Sequence, residues 1–209
     1  MRLFHQIQEV IVRIRRDGFR PVAEAIYYVF KEQLIPPWER LYWLRACDVA
    51  SPPADHPAAL RVVTRFDELS DADRAMLESG VGASSMSIFK KRLAAGAELH
   101  MLIVDGRIAG TRFVALGSRT PFQNVVLGDC DAMGLDVRIE PDMRGRGLAP
   151  LFFSLSISNL AERGIDRVFA TVNVRNERSI RTLERAGFRY VLNMRKRGKQ
   201  YRYDAEIIG

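Results

Sequence analysis

Hydrophobic positions near the start of the chain recur at three- and four-residue steps, which is the spacing of one apolar helix face. They are Leu3, Phe4, Ile7, Val10, Ile11 and Ile14. A second apolar run, residues 22–34, ends before Pro36 and Pro37, which cannot continue a helix. The pattern predicts two helices, or one interrupted helix, in this part of the chain.

The sequence divides into three parts. Residues 51–58, Ser-Pro-Pro-Ala-Asp-His-Pro-Ala, have the composition of a loop. We therefore predict a helical N-terminal extension over residues 1–50, a linker over 51–58 and the main domain over 59–209. The extension begins basic and amphipathic, and this leaves three docking partners open: its own domain, a second copy of the chain in a homodimer, or an anionic membrane surface.

In the main domain, alternating and helical patterns succeed one another. Ser70 is expected to cap a helix that has Asp71 and Asp73 in its first turn. Asp105-Gly106 lies between two strand-like runs and is typical of a tight hairpin. The predicted strands cover residues 60–66, 98–104, 107–116, a segment up to 141, 167–173, 188–194 and 200–207, and the other predicted helices cover 84–93, 148–163 and 177–186. This order indicates a mixed α/β (α+β) fold with an antiparallel first half and a strand-helix-strand unit in the second.

Charge and composition narrow the classes of partner and site. The net charge of +7 favours anionic partners, but no nucleic-acid-binding signature accompanies it, so nucleic acid is not expected. Two cysteines without a C-x-x-C spacing and three scattered histidines predict no metal site. The sequence shows neither an apolar stretch long enough to span a membrane nor a cleaved signal pattern. We expect a cytoplasmic protein, with peripheral contact at the inner membrane face left open.

Residues 136–149 contain the most informative pattern, a strand that passes through a short glycine-rich turn directly into an apolar helix. Glycines let the backbone approach a ligand closely, and the free amides and dipole of a helix N-terminus attract phosphate. Arg144 and Arg146 add positive charge. The turn lacks the glycine pattern of a dinucleotide site and the G-K-[ST] of a nucleoside triphosphate loop. A tight turn without a ligand remains the alternative.

The segment Arg144-Gly145-Arg146-Gly147-Leu148-Ala149 resembles the R/Q-x-x-G-x-G/A acyl-CoA signature of the GNAT superfamily of N-acyltransferases. The preceding Val137-x-Ile139-x-Pro141 looks like the fourth strand of that family, and Asn176-Glu177-Arg178-Ser179 with Leu183-Glu184-Arg185-Ala186-Gly187-Phe188 resembles its second conserved block. The resemblance implies a GNAT-like, mostly antiparallel sheet of six to seven strands flanked by helices. It also implies acetyl-CoA or a longer acyl-CoA as co-substrate, without a metal.

The resemblance assigns roles to individual residues. It puts the CoA pyrophosphate on the amides of Arg144, Gly145, Arg146, Gly147, Leu148 and Ala149. It puts the pantetheine arm beside Val137 and Ile139, with Asn176 and Ser179 also contacting the cofactor. Helix capping is the alternative role for Asn176. Asp131 and Asp136 are the candidates for the general base. The position where many relatives carry an acidic Tyr is Leu183, so the group that protonates the leaving thiolate is unassigned.

The function that follows is N-acyltransfer, in the simplest case of acetyl, from acyl-CoA to a primary amine of a small molecule such as an amino sugar or amino acid. Two alternatives stay open. One is a long-chain N-acyltransferase that uses acyl-CoA or acyl carrier protein at the membrane surface, and the other is a catalytically degenerate acyl-CoA-binding module. The basic run between Glu184 and Asp204 fits a solvated hairpin tip, the 3′-phosphate of CoA or an acidic acyl carrier protein.

Overall fold

The computed structural model describes residues 38–49, 52, 56–81, 83–117, 127–197 and 200–204, all within a unit that starts at Trp38. The helices predicted within residues 1–35 lie outside the described residues. The strands are β1 Trp38–Arg45, β2 Ala58–Val63, β3 Glu98–Val104, β4 Arg107–Leu116, β5 Asp131–Ile139, β6 Arg167–Asn173, β7 Arg189–Arg197 and β8 Gln200–Asp204. The α-helices are α1 Asp71–Val81, α2 Ala83–Ala94, α3 Leu148–Glu162 and α4 Glu177–Arg185.

These strands form one eight-stranded sheet in the order β2-β3-β4-β5-β6-β1-β7-β8. Every neighbouring pair is antiparallel except β5 and β6, which are parallel and are joined through α3. This confirms the mixed, mostly antiparallel sheet and the strand-helix-strand unit of the second half. The sheet has one strand more than the six to seven expected.

Two local predictions are confirmed. The Asp73 N–H donates to Ser70 Oγ at 3.1 Å, and the Ser70 N–H donates to Asp73 Oδ2 at 2.9 Å, so the two residues cap the start of α1 reciprocally. The β3–β4 turn has positive φ at both Asp105 (50°) and Gly106 (72°), as a two-residue hairpin of this type requires.

The additional strand is β1, and it corrects the predicted extension. Residues 38–45 are not helical: they pair with β6 on one side, where Arg45 lies opposite Arg167, and with β7 on the other. The run Leu41-Tyr42-Trp43-Leu44 is nearly continuous in apolar character, and a short run of this kind suits a strand covered on both faces as well as it suits a helix. The assignment of residues 38–45 to a helical N-terminal extension over 1–50 is therefore wrong.

The helices cover both faces of the sheet. On one face, Leu77 of α1 and Phe89 of α2 pack against alternate residues of β3 and β4. On the other face, Phe153 and Ile157 of α3 pack with Leu183 of α4 against β1 and β6. Alternate strand residues therefore enter different cores, and His100 and Arg112 point to the side of α3.

Candidate functional site

The parallel strands β5 and β6 separate halfway along their length. Their pairing runs from Asp131 opposite Arg167 to Gly134 opposite Ala170 and stops there. β5 continues to Ile139 and β6 to Asn173. A bulge follows the last pair: Asp136 has a positive φ of 45°, and the β4–β5 register shifts at this point. Because bulges bend a strand, the ends of β5 and β6 diverge and leave a gap in the sheet.

A cleft of about 620 Å³ occupies this gap. Its walls come from β5, β6, β1, α4 and the start of α3. It is lined by Glu39, Arg112, Gly134, Asp136, Val137, Arg138, Ile139, Arg144, Ala149, Phe153, Ala170, Thr171, Val172, Asn173, Asn176, Arg178, Ser179, Thr182 and Leu183. Several arginines and the N-termini of two helices meet here, which makes the cleft suited to an anionic ligand.

The glycine-rich turn leads into α3 beside this cleft. Gly145 and Gly147 both have positive φ, 79° and 71°, and a side chain on either would meet nothing within 4 Å. No side chain caps the start of α3. Arg144 ties the turn to the end of β5, since its Nε donates to the Ile139 carbonyl at 3.0 Å. Open space beside uncapped amides at a helix N-terminus fits a diphosphate group.

The structure brings most of the predicted residues to one place. The cleft-lining members are Asp136, Val137, Ile139, Arg144, Ala149, Asn176 and Ser179. Gly145, Arg146, Gly147 and Leu148 form the adjoining turn. Asn176 does cap α4, because its Oδ1 accepts from the Ser179 N–H at 3.2 Å. Its contact with a cofactor stays a prediction.

The two carboxylates proposed as bases differ in their position relative to the cleft and in their hydrogen-bond partners. Asp131 is buried at the opposite end of β5, where its oxygens accept from Arg167 at 2.7 and 2.9 Å and from the Gly128 N–H at 2.7 Å. It does not line the cleft, and its oxygens are already occupied. Asp136 does line it and forms an ion pair with Arg92 of α2. The geometry therefore favours Asp136 over Asp131.

The sequence analysis did not single out several residues of the cleft, among them the charged Glu39 and Arg112. Glu39 belongs to β1, the strand that had been assigned to the extension. Arg112 of β4 is only 1% exposed, and its guanidinium lies over the Phe153 ring at 5.0 Å and donates to Ser156 Oγ at 3.2 Å. Burial lowers the pKa of Arg112 to about 10, so it is charged at neutral pH. Nothing in the local sequence distinguishes it from a solvent-facing strand residue.

A buried chain of hydrogen-bonded polar side chains leads to Ser156, which accepts a hydrogen bond from Arg112. Arg163 donates to Glu98 at 2.8 Å, Glu98 lies 3.2 Å from His100 Nε2, and His100 Nδ1 lies 2.8 Å from Ser156 Oγ. Burial alone would raise the pKa of Glu98, but the hydrogen bonds from Arg163 and His100 outweigh it and lower the pKa to about 2. Burial lowers the pKa of His100. A neutral His100 donates a hydrogen bond from Nε2 to Glu98 and accepts one from the Ser156 hydroxyl at Nδ1. A lone pair of the Ser156 oxygen then remains to accept from Arg112.

The described residues contain no cluster of three or more histidine, cysteine or acidic side chains that could hold a metal ion. Among the same residues, no helix is both long enough and apolar enough to cross a bilayer.

Solved structures share this architecture at low sequence identity. A GCN5-related N-acetyltransferase from Sphaerobacter thermophilus is 17% identical with a TM-score of 0.50, over 79% of this chain and 53% of that one. A glucosamine N-acetyltransferase region of a fungal multi-domain β-N-acetylglucosaminidase is 11% identical with a TM-score of 0.58, over 83% and 22%. An acetyltransferase from Colwellia psychrerythraea is 13% identical with a TM-score of 0.53, over 78% and 57%. These likenesses show the fold, and the chain spans less than two thirds of the length of each of these three proteins.

No curated protein sequence matches the chain significantly. The family model described as acetyltransferase (GNAT) domain matches residues 70–189, which is more than half of the chain. The match includes the glycine-rich turn, the diverging strands and the start of α4, which together build the cleft. The prediction of a GNAT-type acyltransferase is confirmed at the level of the family, and the chain belongs to the GNAT acetyltransferases.

Proposed function

We propose that the protein transfers an acyl group from acyl-CoA to a primary amine of a small molecule, by direct attack in a ternary complex. The observation that carries this proposal is the position of the uncapped start of α3 beside the gap between β5 and β6. A diphosphate on the turn 144–149 places the rest of the donor along the gap. Beyond Gly134 the β5 edge that faces β6 has no strand partner among the described residues and can pair with an extended amide chain such as pantetheine.

The reaction needs a proton acceptor near the thioester. The amine nitrogen attacks the carbonyl carbon, a C–N bond forms, the C–S bond breaks and the amine loses a proton. Asp136, at the bulge, is the proposed base. Glu39 supplies a second carboxylate from β1 on another wall of the cleft. Leu183 cannot donate a proton to the leaving thiolate, and water that reaches the open cleft is the proposed source.

The long-chain alternative is disfavoured by the inner end of the cleft. An acyl chain that entered the cleft would stop at the last β5–β6 pair, Gly134 and Ala170, because the two strands are paired from there inward. Contacts with acyl carrier protein, a second copy or a membrane depend on residues 1–37 and on the basic run after Glu184, and they stay predictions. The cytoplasmic location also stays a prediction.

Thermal unfolding with and without CoA tests the donor site. Ligand at about 100 times its dissociation constant stabilises the folded protein by about 2.7 kcal/mol. Gly147→Trp fills the turn and should abolish this stabilisation. The matched control is Gly96→Trp in the turn after α2, because Gly96 has a similar positive φ of 85° and equally open surroundings but lies outside the cleft. The proposed site is contradicted if CoA stabilises neither the wild type nor the control. It is also contradicted if CoA still stabilises Gly147→Trp.

The same preparation separates an enzyme from a degenerate acyl-CoA-binding module. Release of the CoA thiol from acetyl-CoA in the presence of an amine panel is expected for the enzyme. CoA binding without thiol release for any amine or acyl donor favours the module.

A further inference from the structure

Arg112 lies behind the bulge at which β5 leaves β6. The β4–β5 register shifts between Thr111 and Phe113, so Arg112 of β4 lies opposite the bulge that contains Asp136. Its guanidinium packs against Gly134, where a Cβ atom would lie 2.0 Å from Nη2 and 3.0 Å from Nε. Both nitrogens are buried, so the group cannot touch a ligand with this edge. It can act on the cleft only through the field of its charge.

The charge of Arg112 is not compensated within the described part of the chain. Nε and Nη2 lack a hydrogen-bond partner there, and Nη1 donates to the neutral hydroxyl of Ser156. None of the ion pairs between described side chains includes Arg112. In buried surroundings of low dielectric constant, a charge acts more strongly and over a longer distance than in water. An anion that forms nearby is therefore stabilised.

The other charged side chains of the cleft are engaged elsewhere or lie on other elements. The charged residues of the lining are Glu39, Arg112, Asp136, Arg138, Arg144 and Arg178. Arg144 is bonded to the carbonyl at the end of β5, and Arg138 and Asp136 each have an oppositely charged partner. Arg178 belongs to α4. Of these cations, Arg112 is the one that packs against the last β5–β6 pair.

The length of the donor brings its sulfur to the same end of the cleft. With the diphosphate on the turn 144–149, the pantetheine arm runs inward along β5 from Ile139. Between phosphate and sulfur the arm has about as many backbone bonds as four residues of extended chain, or about 14 Å. The strand from Ile139 back to Gly134 spans about 16 Å. The sulfur therefore arrives beside the bulge, close to the guanidinium.

The transfer produces an anion at this point. The amine nitrogen bonds to the carbonyl carbon, the C–S bond breaks, and its electron pair leaves on sulfur as a thiolate. The amine proton passes to the proposed base, and water later protonates the thiolate. Leu183 cannot donate a proton to it. The negative charge on sulfur therefore needs stabilisation from another group of the protein.

We propose that the buried charge of Arg112 stabilises the leaving CoA thiolate across the backbone of Gly134, without direct contact. A positive charge within about 4–6 Å of an acidic group favours its ionised form. Phe153 and Ser156 hold the guanidinium in place, so no reorganisation is needed when the charge develops. The inference rests on the proposed function, since it assigns a role in the same transfer.

The pKa of the thiol of bound CoA tests this proposal without turnover. The full chain is saturated with CoA, and the ultraviolet absorbance of the thiolate is followed over a pH series. The same titration with desulfo-CoA, which lacks the sulfur, subtracts the absorbance of ionising tyrosines. On the wild type, the pKa of the bound thiol should lie at least about one pH unit below that of free CoA.

Variants assign this lowering of the pKa to Arg112. Arg112→Met should return the pKa of the bound thiol towards that of free CoA, while the affinity for CoA at pH 7 stays the same because the thiol is neutral there. It should also lower kcat for thiol release at least about tenfold and leave the KM for acetyl-CoA unchanged. Arg178→Met is the matched control, since it removes another arginine of the cleft. It should weaken CoA binding and keep the lowered pKa.

The outcomes separate the two proposals. A wild type that binds CoA without lowering the pKa of its thiol overturns the role of Arg112 and leaves the proposed function intact. A lowered pKa that survives in folded Arg112→Met, or that Arg178→Met loses to the same extent, overturns it as well. Arg112→Gln replaces Arg112→Met if circular dichroism shows that the latter does not fold. A wild type that binds neither CoA nor any acyl-CoA overturns the proposed function instead.

Discussion

Two arginines present a fork, the edge formed by Nε–H and Nη2–H, beside β5, and only one of the two forks has an acceptor among the described residues. At the start of the strand, Asp131 fills the fork of Arg167 and β5 is paired with β6. Farther along, at the last β5–β6 pair, the fork of Arg112 lies against Gly134 and has no acceptor among the described residues. The closed end completes its charges within the chain, because nothing has to enter there. The strands diverge just beyond the second fork, so the buried charge of Arg112 borders the cleft without a partner among the described residues.

The largest expected effect concerns the polar chain behind Arg112. Glu98 has a pKa of about 2 in the folded protein against an ordinary value of 4.5, and the pKa of His100 is lowered from 6.5. Because both pKa values are lower in the folded protein, the unfolded chain binds more protons than the folded chain as the pH is lowered. The free energy of unfolding therefore decreases when the pH falls. The His100 contribution is lost as pH drops below 6.5. The Glu98 contribution, about 3 kcal/mol, is present above pH 4.5 and lost between 4.5 and 2.

Urea unfolding at pH 7, 5.5 and 4 measures this loss. Glu98→Gln should unfold more easily at pH 7 and lose less stability below pH 4.5 than the wild type, because its side chain does not titrate. Equal pH slopes for the two proteins would show that Glu98 is not held in its charged form.

A smaller effect is expected at the closed end. Asp131→Asn removes the charge that Arg167 binds, and the Asp131 side chain is 4% exposed while that of Arg167 is 49% exposed. We expect a loss of about 2 kcal/mol in the free energy of unfolding, below the value for a fully buried pair. Asp67→Asn is the control, since the Arg65–Asp67 pair is exposed on both sides and should contribute less than about 1 kcal/mol. CoA affinity should stay unchanged, and a large loss would place Asp131 in the site after all.

The smallest effect, and one of opposite sign, is expected at the open end. Arg112→Met replaces an uncompensated buried charge by an apolar chain of similar length, while Ser156 keeps its bond to His100. Without ligand, the free energy of unfolding should stay the same or rise by about 1 kcal/mol. A loss of several kcal/mol in the same urea experiment would make Arg112 a structural residue and remove the contrast between the two ends.

Local sequence patterns were sufficient to predict much of the fold. Ser70, Asp105-Gly106 and the glycine-rich turn were identified from the sequence because capping, tight turns and helix N-termini depend on residues close together in the chain. The boundaries of β3, β4 and β6 follow from the same kind of signal. The turn 144–149, the core of the candidate site, was likewise visible as a contiguous motif.

Contacts between distant residues were not visible in the same way. Arg112 meets Ser156, and Glu98 meets Arg163, only because β3 and β4 pack under α3. In the sequence each reads as an ordinary charged residue of a strand or helix end. Asp131 and Asp136 looked equivalent on one strand, and only the bulge at Asp136 and the fork of Arg167 distinguish them. Glu39 was missed because β1 itself was.

The central position of β1 has a consequence for how the protein is made. This strand leaves the ribosome before any other part of the sheet, yet Arg45 finds its neighbour only when Arg167 is synthesised, and β7 follows later still. Both edges of β1 must stay unsatisfied during that interval, a condition that slows folding and exposes a strand to wrong partners. The nascent chain therefore carries β1 without its partners while the 121 residues between Arg45 and Arg167 are made.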